Sequence, residues 1–306
     1  MVEVGDLLLA MYGATSGDIA VSKIKGAINQ AILCIRTKQN KKFIESVWNK
    51  HVSKNLRKYL QGGQGNLSAD IVKGISFFFP TLKEQEKIAN LVSLLDERIA
   101  TQNKIIEDLK KLKSAIIEKL YSEIQGKEYS YRQLFDVVNE RNKQMEYSNI
   151  LSASQEKGMI NRDDLNLDIQ FERSNINTYK IVRAGDYVIH LRSFQGGFAF
   201  SDKSGVCSPA YTILRPNSFL EYSYLSNYFT SQRFIKSLII VTYGIRDGRS
   251  INVDEWLSMK ITIPSKEHQQ YIVKIIGSFD RKIESEEAYT ILLSKQKQYI
   301  LRKMFI

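Results

Sequence analysis

The chain has 306 residues, 43% of them hydrophobic, with 44 Lys/Arg against 33 Asp/Glu for a net charge of +11. That length exceeds one ordinary domain and suggests two, and the apolar fraction suffices for real cores, which excludes a disordered chain. No apolar run reaches the roughly 18 residues that span a bilayer and no signal peptide opens the chain, so the expectation is a cytoplasmic protein with no membrane partner, its charge pointing to a polyanion.

Residues 1–80 hold the largest surplus of positive charge, 11 Lys/Arg against 5 Asp/Glu. In them "VEVGDLLLAMYGATSGD" reads as a strand entered through a Gly5-Asp6 turn, and "KGAINQAILCIR" carries the second strand. "QGGQGN" is a Gly-rich loop, and without a following Lys-Ser/Thr it is no phosphate-binding P-loop. "ISFFF" reads as a short strand that stops at Pro80, because proline disfavours helical geometry at the residue before it. Thr81 and Glu84 then form a capping box that opens a helix. Its apolar positions are Ile88, Leu91, Leu95, Ile99, Ile106, Leu109, Leu112, Ile116 and Leu120, with no Gly or Pro before Gly126. About forty residues at 1.5 Å each make a rod of roughly 60 Å.

Residues 127–264 read as an α+β domain with nearly balanced charge, 17 Lys/Arg against 15 Asp/Glu. "YSYRQLFDVVNERN" is a short amphipathic opening, "YSNILSASQEKGMI" a hairpin arm, and "NTYKIVRAGDYVIHL" a strand, Gly-Asp turn and strand. "SYLSNYFTSQRFIKSLI" has helical spacing, with Leu225, Phe229 and Ile235 as its expected buried face. After Pro264 a second long helix carries Ile272, Ile276, Phe279, Ile283, Leu293, Ile300 and Met304. Neither apolar stripe can remain in water, and the simplest solution pairs them through Leu95, Ile99, Ile106, Leu109 and Ile116 against Ile276, Phe279, Ile283, Leu293 and Ile300. The competing arrangement folds each helix over its own domain. Cys34 and Cys207 lie far apart in apolar runs and read as buried reduced thiols.

The chain is an internal repeat. Gly5-Asp6 is answered by Gly185-Asp186, "KGAINQAILCIR" by "SGVCSPAYTILR", and "NLSADIVKGISFFFP" by "SINVDEWLSMKITIP". "PTLKEQEKIANLVSLLDERI" from Pro80 is answered by "PSKEHQQYIVKIIGSFDRKI" from Pro264. Landmarks coincide while the material between them differs. Nothing in residues 1–80 matches 127–180, so the first unit lacks about fifty residues that its twin has.

The twice-used proline-to-aspartate helix, with "LSASQEKGMI", "NTYKIVRAGDYVIHL" and "GDLLLAMYGATSG", resembles the specificity subunit of type I restriction-modification systems, over essentially the whole chain. The resemblance implies an α+β fold with two target recognition domains held apart by two long helices in an antiparallel coiled coil. Here that gives a partial first domain (1–80), a spacer helix (81–126), a complete second domain (127–264) and a second spacer helix (265–306). It implies double-stranded DNA as ligand, methyltransferase (M) subunits docked on the helices, and restriction/translocase (R) subunits joined through them. It implies no catalysis and no cofactor in this chain, since S-adenosylmethionine, ATP and Mg would belong to the partner subunits. Met1 falls inside the first domain, which reads as a truncated, split or rearranged product; a shuffled coding segment, or another specificity-subunit fragment supplying the missing front, would give the same sequence.

A DNA reader needs phosphate contacts for affinity and base-edge contacts for sequence choice. In the second domain the candidates are Arg192, Ser193, Phe194 and Gln195 in "LRSFQGG" and Tyr243, Arg246, Arg249 and Ser250 in "YGIRDGRS", with Lys203 nearby in the chain. Arg and Gln can bond guanine and adenine edges in a bidentate manner, and flanking glycines let a loop approach a groove. The matching places in the first domain are Tyr12, Thr15, Ser16, Lys23, Gln61, Gln64 and Asn66; solvated loop residues are the bland alternative for all of these. Asp70 and Asp254 match across the copies and read as capping or turn residues.

Enzyme chemistry is not indicated. Pro80, Pro209, Pro216 and Pro264 are never adjacent, so the Asn/Asp-Pro-Pro-aromatic motif of DNA amino-methyltransferases is absent, and no proline precedes an aspartate. His51, His190 and His268 share no metal-binding spacing. The other non-enzymatic class is a coiled-coil scaffold whose globular parts bind protein.

Overall fold

The computed structural model describes residues 1–59, 67–154, 157–164, 173–190, 197–243 and 250–304. Its elements begin with β1 (Leu7–Ala10), β2 (Ile19–Val21), β3 (Ile32–Ile35), α1 (Lys41–Tyr59), α2 (Ala69–Lys73), α3 (Leu82–Ser122), β4 (Lys127–Ser130), α4 (Tyr131–Leu134), β5 (Phe135–Val138), β6 (Leu151–Ser154) and β7 (Gly158–Asn161). They continue with β8 (Lys180–Val182), β9 (Tyr187–Ile189), β10 (Phe198–Phe200), β11 (Gly205–Cys207), β12 (Thr212–Pro216), α5 (Gln232–Ser237), β13 (Thr242–Tyr243), β14 (Ser250–Ile251), α6 (Val253–Ser258), β15 (Lys260–Ile263) and α7 (Lys266–Met304). Two compact units result, Met1–Glu107 with Glu284–Ile306, and Asp108–Ile283. Each takes part of α3 and part of α7.

In the first unit the antiparallel sheet β2-β1-β3 buries Leu7 and Leu9. Leu9, Met11, Trp48 and Leu67 form one core cluster, and Phe43 and Val47 of α1 pack with Ala89 of α3 in another. In the second unit the sheet β10-β9-β12-β5 backs onto an aromatic core. Trp256 of α6 is fully buried there and stacks on Tyr131 at 4.3 Å between ring centres, with Phe198 and Phe229 also against it.

The repeat holds at the level of single hydrogen bonds. Gly5 (φ +89°) and Gly185 (φ +100°) adopt the left-handed conformation that turns the chain into β1 and β9. The Asp6 carboxylate then accepts from the Glu3 amide and from Arg36 of β3's end, and the Asp186 carboxylate accepts from the Arg183 amide and from Arg215 of β12. The α2 and α6 helices are capped alike, by Ser68 and Asn252, which leaves Asp70 and Asp254 in their first turns. The Cys207 thiol is buried, and burial pushes it up to about 12, whereas Cys34 is only half-buried, because β3 lies at the sheet edge and its Sγ faces Asp6.

The helices span 41 and 39 residues. Along α3, Gln85, Ile88, Val92, Leu95, Ile99, Gln102, Ile106, Leu109, Lys113, Ile116 and Leu120 are all buried or half-buried, in alternating steps of four and three. Along α7 the same holds for Gln269, Ile272, Ile276, Phe279, Ile283, Glu286, Thr290, Leu293, Lys297, Ile300 and Met304. That is the heptad seam of a coiled coil, and all ten of the apolar pairing candidates fall on it. Polar groups cross the seam. Within the first unit Gln102 meets Glu286, Arg98 meets Tyr289, and Asp96 receives Lys297 as well as Lys42. Within the second, Lys113 pairs with Asp280 at 2.5 Å. Partner numbers fall along α7 as they rise along α3, so the pairing is antiparallel. Leu91 and Leu112, expected in the stripe, are exposed, since the seam repeats every 3.5 residues and they sit one position off it.

Each long helix is latched to its unit by one buried glutamine. Gln269 donates to the Pro264 and Phe219 carbonyls and accepts from the Glu221 amide; Gln85 donates to the Pro80 carbonyl and the Gln39 side chain and accepts from the Asn40 amide. Gln269→Leu strands three backbone groups and is expected to cost about 1–3 kcal/mol, read from urea unfolding.

Two local expectations fail. The helix expected across 223–239 is a run of turns through Thr230 followed by α5, because Ser231 caps a fresh start; Phe234 and Leu238 are therefore buried while Ile235 is half-buried. Residues 75–79, expected as a strand, pair with no strand among the described residues. Their counterpart β15 is a strand because β4 lies beside it, in the register Lys260↔Ser130 to Ile263↔Lys127.

Candidate nucleic-acid interface

In the second unit two hairpins carry the candidate loops. β9 and β10 pair from Tyr187↔Phe200 to Ile189↔Phe198, and the His190 amide donates to the Gly197 carbonyl at 2.7 Å. Arg192, Ser193, Phe194 and Gln195, between these two residues in sequence, lie outside the described residues. β13 and β14 pair Thr242↔Ile251 and Tyr243↔Ser250, so Tyr243 and Ser250 form the last rung before the 244–249 loop. Arg246 and Arg249 belong to that loop and also lie outside the described residues. Both stems are rooted in one core, through Ile189, Phe198 and Val241 with Ile251 packed against them. His190, just after β9, is half-buried with its ring 6.1 Å from Tyr211, and burial holds its pKa below the ordinary imidazole value.

The first unit repeats the hairpin with a different tip. The Ala10 amide donates to Asp18 and the Gly17 amide to Ala10, closing a turn that holds Tyr12, Thr15 and Ser16. Tyr12 and Thr15 are exposed. Ser16 is half-buried and its hydroxyl donates to the Met11 carbonyl, which commits it to the turn. Trp48 of α1 braces the turn by donating to the Gly17 carbonyl. The Leu67 amide donates to the Met11 carbonyl at 2.7 Å. That bond sets Leu67 beside the turn; Gln61, Gln64 and Asn66 lie outside the described residues.

Lys23 lies away from the turn that holds Tyr12, Thr15 and Ser16, and Lys203 occupies the matching place in the second unit. Both are exposed, and both lie in the turns that follow β2 and β10, at the end of each hairpin opposite its tip. There they flank the Gly-Asp turns, where the Glu3 amide, chief among its partners, holds the Asp6 carboxyl below the usual carboxylate range. The seam residues Gln102, Lys113, Asp280 and Glu286 and the latches Gln85 and Gln269 escaped an apolar count, but the latches were visible as a glutamine five residues after each proline. Among the described residues there is no group of three or more His, Cys, Asp or Glu placed to hold a metal, and no helix long and apolar enough to cross a membrane.

A family model described as the type I restriction modification DNA specificity domain matches residues 2–111 and 126–294. The type I restriction enzyme MjaVIII specificity subunit of Methanocaldococcus jannaschii is 24% identical, over 98% of this chain and 78% of its own length. Among solved structures, a chain from a study of complex assembly and conformational transition in a type I R-M system aligns with a TM-score of 0.65 at 16% identity, over 99% of this chain and 82% of that one. The crystal structure of a type I restriction-modification S subunit from M. genitalium aligns with a TM-score of 0.55 at 15% identity, over 99% and 83%.

Proposed function

The chain belongs to the family of type I restriction-modification DNA specificity subunits, and from that membership we propose that its two units each read one part of a bipartite double-stranded DNA target. Methyltransferase subunits dock on the α3–α7 pair, and restriction/translocase subunits join through them. S-adenosylmethionine, ATP and Mg are bound by those partners, this chain supplies recognition without catalysis, and the assembly works in the cytoplasm. The supporting observation is a scaffold whose Gly-Asp turns and their arginine partners recur in both units while the sequences between these landmarks differ, as expected of two readers tuned to different sequences.

The test is a genomic methylation map of cells expressing this chain with its methyltransferase. A single bipartite modified sequence supports the reading, and no sequence preference refutes it. In the purified assembly, Arg192→Ala or Arg246→Ala is expected to weaken cognate duplex binding by about 1–3 kcal/mol, roughly five- to 150-fold. Binding should also fall steeply with salt, whereas a protein-binding scaffold would be indifferent to both.

A further inference from the structure

Leu238–Val241 form a short 3-10 helix between α5 and β13. Leu238 and Val241 are buried in the aromatic core, whereas Ile239 and Ile240 between them are 60% and 71% exposed. The backbone that holds them out is pinned. The Thr242 hydroxyl donates to the Leu238 carbonyl, and the Asn252 amide donates to the Val241 carbonyl. Two adjacent branched side chains kept in water on a fixed support form a contact surface that gains from meeting an apolar group.

The surroundings restrict what that group belongs to. Arg233 and Lys236 of α5 and Ile240 after it are all exposed, and their spacing of three and four sets them along one side of the helical run. No Asp or Glu occurs from Gln232 to Tyr243, and the Glu118 carboxylate is engaged by the Gln232 and Arg233 amides at the start of α5. Ile240 stands two residues ahead of β13, whose Tyr243 pairs with Ser250 in the candidate interface. Two cations and two branched apolar side chains, continuous with that hairpin, suit duplex DNA. Phosphates take the cations, and the 5-methyl of thymine is the apolar group that the major groove displays.

We infer that Ile239 and Ile240 read a thymine methyl in the part of the target contacted by the second unit, with Arg233 and Lys236 on flanking phosphates. The inference rests on the DNA reading proposed above and deepens it, adding a preference for thymine that needs no hydrogen bond to its edge.

The probe is the target duplex given by the methylation map, with its thymines replaced one at a time by deoxyuridine. That change removes the methyl and keeps every hydrogen-bonding group. For the purified assembly of this chain with its methyltransferase subunits, one replacement is expected to weaken binding about fourfold, the worth of one methyl-sized group removed from water. The double change Ile239→Ala with Ile240→Ala should weaken binding to the thymine duplex by at least as much and erase the thymine–uracil difference at that position. Lys236→Ala should instead weaken both duplexes equally and lower the salt slope by about one. Both isoleucines are exposed, so an unchanged melting temperature is the control for the fold. An assembly with no sequence preference overturns the DNA reading and the inference together. Sequence-specific binding that is indifferent to every uracil overturns the inference alone, and so does a uracil penalty that persists in the double variant. Loss of methyltransferase subunits from the double variant on gel filtration also overturns it, by making that protein the occupant.

Discussion

Replacing Asp186 with alanine is expected to cost the second unit about 3–5 kcal/mol, among the largest effects of any single change at a polar side chain. The carboxylate is 2% exposed and takes three bonds, one from the Arg183 amide and two from the Arg215 guanidinium at 3.0 Å each. Removing it strands a cation and an amide at the turn that launches β9. Arg215 keeps some access to water, which places the cost toward the lower end of the range. Asp186→Asn should lose less, because an amide oxygen still accepts from one donor. The twin change Asp6→Ala should be milder, since Arg36 offers a single bond and is largely exposed. Hydrogen exchange read on peptides covering β9 and β12 separates these cases, and equal effects at Asp6 and Asp186 would contradict the argument.

Trp256→Ala should be at least as damaging, at about 3–5 kcal/mol, because it removes the largest fully buried side chain from the centre of an aromatic cluster. For a unit of this size that corresponds to a fall in melting temperature of roughly 10 °C or more. Tyr131 loses its stacking partner, and Phe198 of β10 loses a wall. Trp256→Phe should cost much less, since the indole Nε1–H has no hydrogen-bond partner among the described residues and its removal strands nothing. Differential scanning calorimetry distinguishes the two. If phenylalanine proves as harmful as alanine, the indole carries an interaction outside this packing.

Where the determinants are local, the sequence was readable. Gly5 and Gly185 enforce positive φ and the aspartate after each organises the turn, so the start of each scaffold could be found by eye. Uninterrupted helical spacing gave two long helices and the apolar part of their seam. The polar part was hidden, because Gln102, Lys113, Asp280 and Glu286 look like surface residues until their partners arrive from the other helix. Leu91 and Leu112 show the cost of counting hydrophobic residues without fixing the repeat at 3.5. "ISFFF" has every local mark of a strand, yet a strand is a property of two segments, and among the described residues nothing pairs with it. The described candidates could be placed on hairpins, but the link between Met11 and Leu67 is long-range and leaves no pattern.

The glutamine latches carry a lesson about inheritance. Gln269 is held by backbone atoms alone, and Gln85 by two backbone atoms and one neighbouring side chain. Joints of this kind place almost no demand on the identity of the residues they grip. The stretch ahead of either proline can therefore change in sequence over a lineage while the joint that holds the long helix is kept.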